Sequence, residues 1–141
     1  MKDIDKIREL TNTLSFVESN LKSENKILEF LLEHSLDGYW DWDIRNNYEY
    51  LSPKFKQQLG YSDDEMENSP ESWMSICNVE DLDRAKSTIG LVLGGKEDEF
   101  KEELRFIHKE GYEIKILCRG IIIKRDESGN PLRMVGTHRI I

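Results

Sequence analysis

The hydrophobic period of this chain changes once, at Leu36-Asp37-Gly38. Before that point apolar residues step by alternating threes and fours. Ile7, Leu10, Leu14, Val17, Leu21, Leu28 and Leu31 fall on the a and d positions of a heptad, and Glu24 alone interrupts the seam. No Gly or Pro precedes Gly38, so nothing local stops one long helix. A stripe confined to a and d is narrower than the face a helix usually buries on its own domain, and it matches the seam of a two-stranded coiled coil. The seven apolar residues are therefore the expected dimer interface. The competing reading is a single amphipathic helix lying on its own domain. Residues 1–33 are read as a helical connector and residues 34–141 as one domain.

Beyond Gly38 the period falls to two. Tyr39-Trp40-Asp41-Trp42-Asp43-Ile44 alternates, with Trp40, Trp42 and Ile44 on one face of a half-buried strand. Arg45-Asn46-Asn47 is a turn, and Tyr48-Glu49-Tyr50-Leu51 a second strand. Helix starts then follow closely. Ser52-Pro53 supplies an N-cap and a proline at the first helical position, with Phe55 and Leu59 on the buried side and Gly60 as the stop. Ser62-Asp63-Asp64-Glu65 is a capping box, and Ser69-Pro70 opens a third short helix that carries Trp73 and Ile76 inward. Asn78 caps the next and longest helix of this region, whose apolar face is Leu82, Ala85, Ile89 and Leu93 and whose end is Gly94-Gly95.

The remainder reads as strands. Glu99 to His108 alternates with Phe100, Leu104 and Phe106 on one face; Tyr112 to Lys124 is apolar on both faces in its later half, so both are expected to be covered; Leu132 to Ile141 is the last. Lys109-Glu110-Gly111 and residues 126–131 turn the chain between them. Strands on both sides of a helical cluster give an α+β class, one sheet with helices over one face.

Charge and cysteine usage exclude several partners. A formal net charge of -8 argues against nucleic acid and against an anionic membrane face. No apolar run approaches the roughly 20 residues that cross a bilayer, and no apolar block follows Met1-Lys2-Asp3-Ile4-Asp5-Lys6 as in a secretory signal. The two cysteines, Cys77 and Cys118, form neither a disulfide framework nor a metal-ligand spacing, and a reducing, cytoplasmic setting is expected.

The order of elements, with particular words in it, resembles the PAS domain family, and more closely the subgroup with an associated C-terminal motif. The words are Asp37-Gly38-Tyr39-Trp40-Asp41-Trp42-Asp43, Tyr50-Leu51-Ser52-Pro53, Leu59-Gly60-Tyr61, Glu80-Asp81, Lys109-Glu110-Gly111, Asp126-Glu127-Ser128-Gly129-Asn130-Pro131 and Gly136-Thr137. Each is ordinary cap or turn chemistry; their order and spacing are specific. The resemblance implies a five-stranded antiparallel sheet in the order 2-1-5-4-3, with helices enclosing a pocket on one face. It also implies a sensory and dimerisation role in a sensor histidine kinase, a cyclic-dinucleotide enzyme or another output, reached through flanking helices. The chain departs from the family pattern in three places: Asn78-Val79 replaces a usual His-Pro, Lys115 stands where a Trp is common, and the closing Asp-Ile-Thr is represented from Ile140 only. The stop at Ile141 is read as the end of a fragment.

The chemistry in view is apolar. Trp42, Phe55, Leu59, Trp73, Ile76, Leu82, Ile89, Phe106 and Cys118 are expected to converge between sheet and helices, forming either a filled core or a small cavity for an apolar or weakly polar ligand. No catalytic constellation and no metal site are expected. Asp41 and Asp43 share a strand face and read as a solvated or hydrogen-bonded edge. Relatives that attach flavin do so through a cysteine in Asn-Cys-Arg-Phe-Leu-Gln, a word that Ser75-Ile76-Cys77-Asn78 lacks. Haem-binding relatives use a histidine on the long helix, and residues 79–93 contain none. His34, His108 and His138 read as surface or edge residues, which leaves His138 or a Met as the only candidate haem ligands. No tightly bound cofactor is expected.

Overall fold

The computed structural model describes residues 2–141, with the side chains of 15–23, 29 and 33 outside the described residues. The expected seam positions Val17 and Leu21 lie outside them. By its internal contacts the chain divides into two units, Met1–Ser35 and Leu36–Ile141. The first is the helix α1 (Lys2–His34), about 50 Å long at 1.5 Å per residue. Asp3 and Asp5 occupy its first turn, where carboxylates meet the positive end of the helix dipole. Ile7, Leu10, Leu14, Leu28 and Leu31 are all between 54% and 64% exposed in the single chain. Among the described residues, no helix is long and apolar enough to cross a membrane.

The second unit is built on one antiparallel sheet, in the order β2-β1-β5-β4-β3. Its strands are β1 (Gly38–Asp43), β2 (Tyr48–Leu51), β3 (Glu99–Ile107), β4 (Glu113–Arg125) and β5 (Pro131–Ile140). Between β2 and β3 run α2 (Pro53–Gln58), a single 3-10 turn at Asp63–Glu65, α3 (Pro70–Met74) and α4 (Val79–Leu93). Cap chemistry places three of them, and Pro70 at the first helical position starts α3. The Ser52 hydroxyl accepts from Phe55 N at 3.2 Å, Glu65 reaches back to Ser62 N at 2.9 Å, and the Asn78 side chain accepts from Asp81 N at 3.1 Å. In the β4–β5 turn, the Asp126 carboxylate accepts from the backbone N–H groups of Ser128 and Asn130, both at 2.9 Å.

Two expectations change. The later half of β4 is not covered on both faces: Ile121 and Ile123 are exposed on the outer face, because every helix between β2 and β3 in sequence packs on the side of Ile116 and Cys118. The face that α4 turns to the sheet is centred on Asp81, Ala85 and Val92, while Leu82 and Ile89 flank it half-buried. Asp81 sets that rotation. Its carboxylate accepts from the Arg105 backbone N–H (2.8 Å), from Arg105 Nε (2.9 Å) and Nη2 (3.0 Å), and from Arg84 Nη1 (3.2 Å). These donors hold the Asp81 carboxyl far below the usual carboxylate range. Asp81→Asn keeps the shape and loses the charge, and is expected to cost about 2 kcal/mol, read as a lower urea midpoint. An unchanged midpoint at neutral pH sets aside the clamp between α4 and β3.

Candidate functional site

Between the inner face of the sheet and the helices α3 and α4 lies a cavity of about 190 Å3. Sheet alternation and helix faces supply its walls. Trp40 and Trp42 come from β1, Phe100, Leu104 and Phe106 from β3, Cys118 from β4 and Met134 from β5. Phe55 of α2, Trp73 and Met74 of α3, and Ile89 and Leu93 of α4 close the other side, with Lys86 as a charged member of the lining.

Of the nine residues expected to converge, Trp42, Phe55, Trp73, Ile89, Phe106 and Cys118 line this cavity. Leu59, Ile76 and Leu82 do not, and each has a local reason. Leu59 caps α2, and its carbonyl accepts from Lys109 N at 3.0 Å, so its side chain fills the core beside the β3–β4 hairpin. Ile76 is drawn to the strand end where its carbonyl accepts from Ile107 N at 2.9 Å. Leu82 lies on the first turn of α4, where the Asp81–Arg105 clamp closes the space over β3.

Besides Lys86, two polar residues line the cavity that the sequence did not place inside, Glu49 and His138. Glu49 is 5% exposed and accepts from the Trp73 indole N–H at 3.1 Å. Burial pushes its carboxyl up to about 7, and the indole bond offsets this only in part. The Tyr-Glu-Tyr-Leu word hides this placement, since its tyrosines are the larger apolar groups. Register gives it away: Trp42 pairs with Glu49 and Trp40 with Leu51, so Glu49 shares the inner face with the tryptophans.

His138 corrects an expectation outright. Read as a surface or edge residue, it is 1% exposed and lines the cavity. The reason is topological, because β5 lies mid-sheet between β1 and β4, and alternation from the buried Met134 turns residue 138 inward. Its ring stacks on Phe55 at 3.9 Å between centroids and meets Phe106 edge-on at 5.5 Å. Burial lowers its pKa to about 3, so the imidazole is neutral at ordinary pH. Of the other two histidines, His34 is on α1 with its ring against Phe30, and His108 stacks on Tyr112 at the β3–β4 hairpin.

The remaining polar candidates are accounted for by structure. Asp41 accepts from Arg133 Nε on the neighbouring strand at 2.8 Å, and Asp43 accepts from Asn46 N at 3.3 Å in the turn. Burial raises the thiols of Cys77, to about 11, and Cys118, which keeps both protonated and unreactive. Among the described residues no group of three or more His, Cys, Asp and Glu side chains is placed to hold a metal ion.

A sheet in this order, closed by short helices over an aromatic cavity, defines a sensory signalling module. The chain belongs to the PAS fold family, whose model matches residues 48–138. Solved structures are similar to it over most of its length. One is a sensory box histidine kinase/response regulator from Burkholderia thailandensis E264, 26% identical with a TM-score of 0.68, the match covering 81% of this chain and 83% of that one. Another is the N-terminal domain of a diguanylate cyclase with PAS/PAC sensor from Marinobacter aquaeolei, at 20% identity and a TM-score of 0.61 over 74% and 94% of the two chains. A third is a domain of a sensory box sensor histidine kinase/response regulator from Geobacter sulfurreducens, at 18% and 0.62 over 84% and 96%. A comparison with curated proteins found no match.

Proposed function

We propose that this chain is the sensory and dimerising module of a larger cytoplasmic signal-transduction protein of the sensor histidine kinase type. Occupancy of the cavity is the signal, and α1 passes it to output domains of the same parent chain, which hold whatever catalytic activity the parent has. The observation that carries the reading is the cavity of about 190 Å3, walled by aromatic side chains and following directly in the chain on a helix whose described heptad residues, Ile7, Leu10, Leu14, Leu28 and Leu31, are exposed. A ligand that favours one arrangement of sheet and helix shifts the population toward it. The likeness to the Burkholderia kinase supports the kinase setting; the likeness to the Marinobacter protein supports a second setting, control of a cyclic-dinucleotide enzyme.

Neither flavin nor haem belongs to this reading. The cavity is smaller than the roughly 300 Å3 at which pockets for drug-sized molecules begin. A small, reversibly held apolar ligand fits it. The partner of α1 is a second copy of the chain, joined along Ile7, Leu10, Leu14, Val17, Leu21, Leu28 and Leu31, with no nucleic acid and no membrane engaged.

Removal of residues 1–31 is expected to convert a dimer into a monomer in sedimentation velocity, since the seam goes with them while Leu36–Ile141 retains its own core. If the shortened chain dimerises as tightly as the full one, the seam is not the interface.

A further inference from the structure

One polar group on the cavity wall is only half used. Glu49 stands between Trp42, its partner across the β1–β2 pair, and Trp73, whose indole N–H donates to Oε1 at 3.1 Å. Both tryptophans are themselves cavity walls, so the carboxyl lies along the lining. Oε2 receives no hydrogen bond from the described residues, yet it is not sealed. Among those residues the sealed side-chain atom without a partner is Nε2 of His138. Oε2 therefore keeps accessible surface, and on a residue 5% exposed at the inner face that surface opens to the cavity. The cavity is reached from outside past Lys86 and Gly90 of α4, which line it and are exposed. A side chain added at Gly90 would meet nothing within 4 Å, so that flank of the helix stands open.

The charge state of Glu49 follows from its neighbours. No cation pairs with it among the described residues, and the charge that acts on it, that of Glu71, has the same sign. A buried carboxyl so placed keeps its proton. With Oε1 accepting from the indole, the hydrogen sits on Oε2, a donor on the cavity wall that lacks an acceptor. Buried donors are nearly always satisfied, and here the acceptor has to enter. Size narrows the entrant further. A dry cavity of about 150 Å3 takes up benzene, so about 190 Å3 admits one ring with a small substituent. We propose that the cavity binds an uncharged, single-ring molecule carrying one carbonyl-type oxygen, which accepts a hydrogen bond from Oε2 of Glu49 while its ring packs against Trp42 and Trp73. This rests on the cavity reading above and names the chemistry that the cavity selects.

Acetophenone, ethylbenzene and 1-phenylethylamine test it, because they share a skeleton and differ in one group: an acceptor, no polar atom, and an ammonium. The full chain is used with 13C-labelled glutamate at about pH 6, below the value of about 7 at which the carboxyl titrates. Acetophenone is expected to bind about tenfold more tightly than ethylbenzene, the worth of one buried hydrogen bond, and more tightly than the amine. The Glu49 carboxyl resonance moves with acetophenone and stays in place with ethylbenzene. Glu49→Gln keeps the preference, since its amide still accepts from the indole and donates to the ligand, whereas Glu49→Met loses it. Should Glu49→Met not fold, the ligand comparison and the carboxyl resonance on the unaltered chain decide. Equal affinities of acetophenone and ethylbenzene with an unmoved resonance overturn the acceptor requirement and leave the cavity reading standing. Tightest binding by 1-phenylethylamine, abolished in Glu49→Gln, overturns it in favour of a cation held by the carboxylate. No binding of any of the three up to its solubility overturns both the proposal and the cavity reading.

Discussion

Glu49→Gln is expected to raise the free energy of unfolding by about 3 kcal/mol near pH 8 and to leave it unchanged near pH 4. The amide keeps the shape and still accepts from the Trp73 indole, so packing is held constant while the charge is removed. In the folded chain the carboxyl titrates at about 7 against an ordinary 4.5. Between those values the folded state holds a proton that the unfolded state has lost, so stability falls as pH rises through the window and stays low above it. At about 1.4 kcal/mol per tenfold change in proton affinity, the displacement amounts to about 3 kcal/mol.

His138 acts in the opposite direction. Its folded pKa of about 3 lies below the ordinary 6.5, so between these values it is the unfolded chain that binds the extra proton, and stability falls as pH drops. From 4.5 to 6.5 the two effects cancel, because folding in effect moves one proton from His138 to Glu49. The native chain therefore shows little dependence on these two groups across that interval, and each variant exposes the other partner. Glu49→Gln should give stability that climbs with pH up to 6.5, and His138→Gln stability that declines from 4.5 to 7. Urea titrations over a pH series read both slopes. A gain from Glu49→Gln of equal size at both ends of the series contradicts a buried, proton-holding carboxyl.

The same two residues mark where the sequence was silent. Local chemistry was readable wherever one residue type has one use: Ser52-Pro53, the Ser62 capping box, Asn78 before α4, and the Asp126 turn all stand where their spacing put them. Alternation in β3 was equally plain, with Phe100, Leu104 and Phe106 all inward. The sheet order itself followed from the resemblance and not from periodicity, since alternation does not say which strands pair. Glu49 and His138 depend on that pairing. Only the Trp42–Glu49 register and the mid-sheet position of β5 turn them to the inside. Leu59, Ile76 and Leu82 fail as cavity residues for a related reason: sequence separates buried from exposed, but not a wall from the core behind it. The rotation of α4 was hidden because a charged residue, Asp81, takes the most buried side.

Gly136→Ala is expected to be the most damaging single change in the sheet. Gly136 of β5 pairs with Trp40 of β1 on one side and with Gly120 of β4 on the other, and the Trp40 ring lies across both glycines. A methyl group at 136 would overlap the Arg119 carbonyl oxygen and stand 2.5 Å from Trp40 Cε2. The oxygen belongs to the β4 backbone and has no rotamer to move into, so relief means separating two central strands. Overpacking of that kind costs on the order of 4 kcal/mol, a large part of the stability of a typical domain. Gly120→Ala is milder in kind, because its nearest conflict, at 2.5 Å, is with a side-chain atom, Trp40 Cη2. Adding Trp40→Leu should therefore recover much of the loss in Gly120→Ala and little of it in Gly136→Ala, a difference that a double-mutant cycle of unfolding free energies measures. Equal recovery at both positions means that the ring, and not the close approach of β4 and β5, excludes a side chain there.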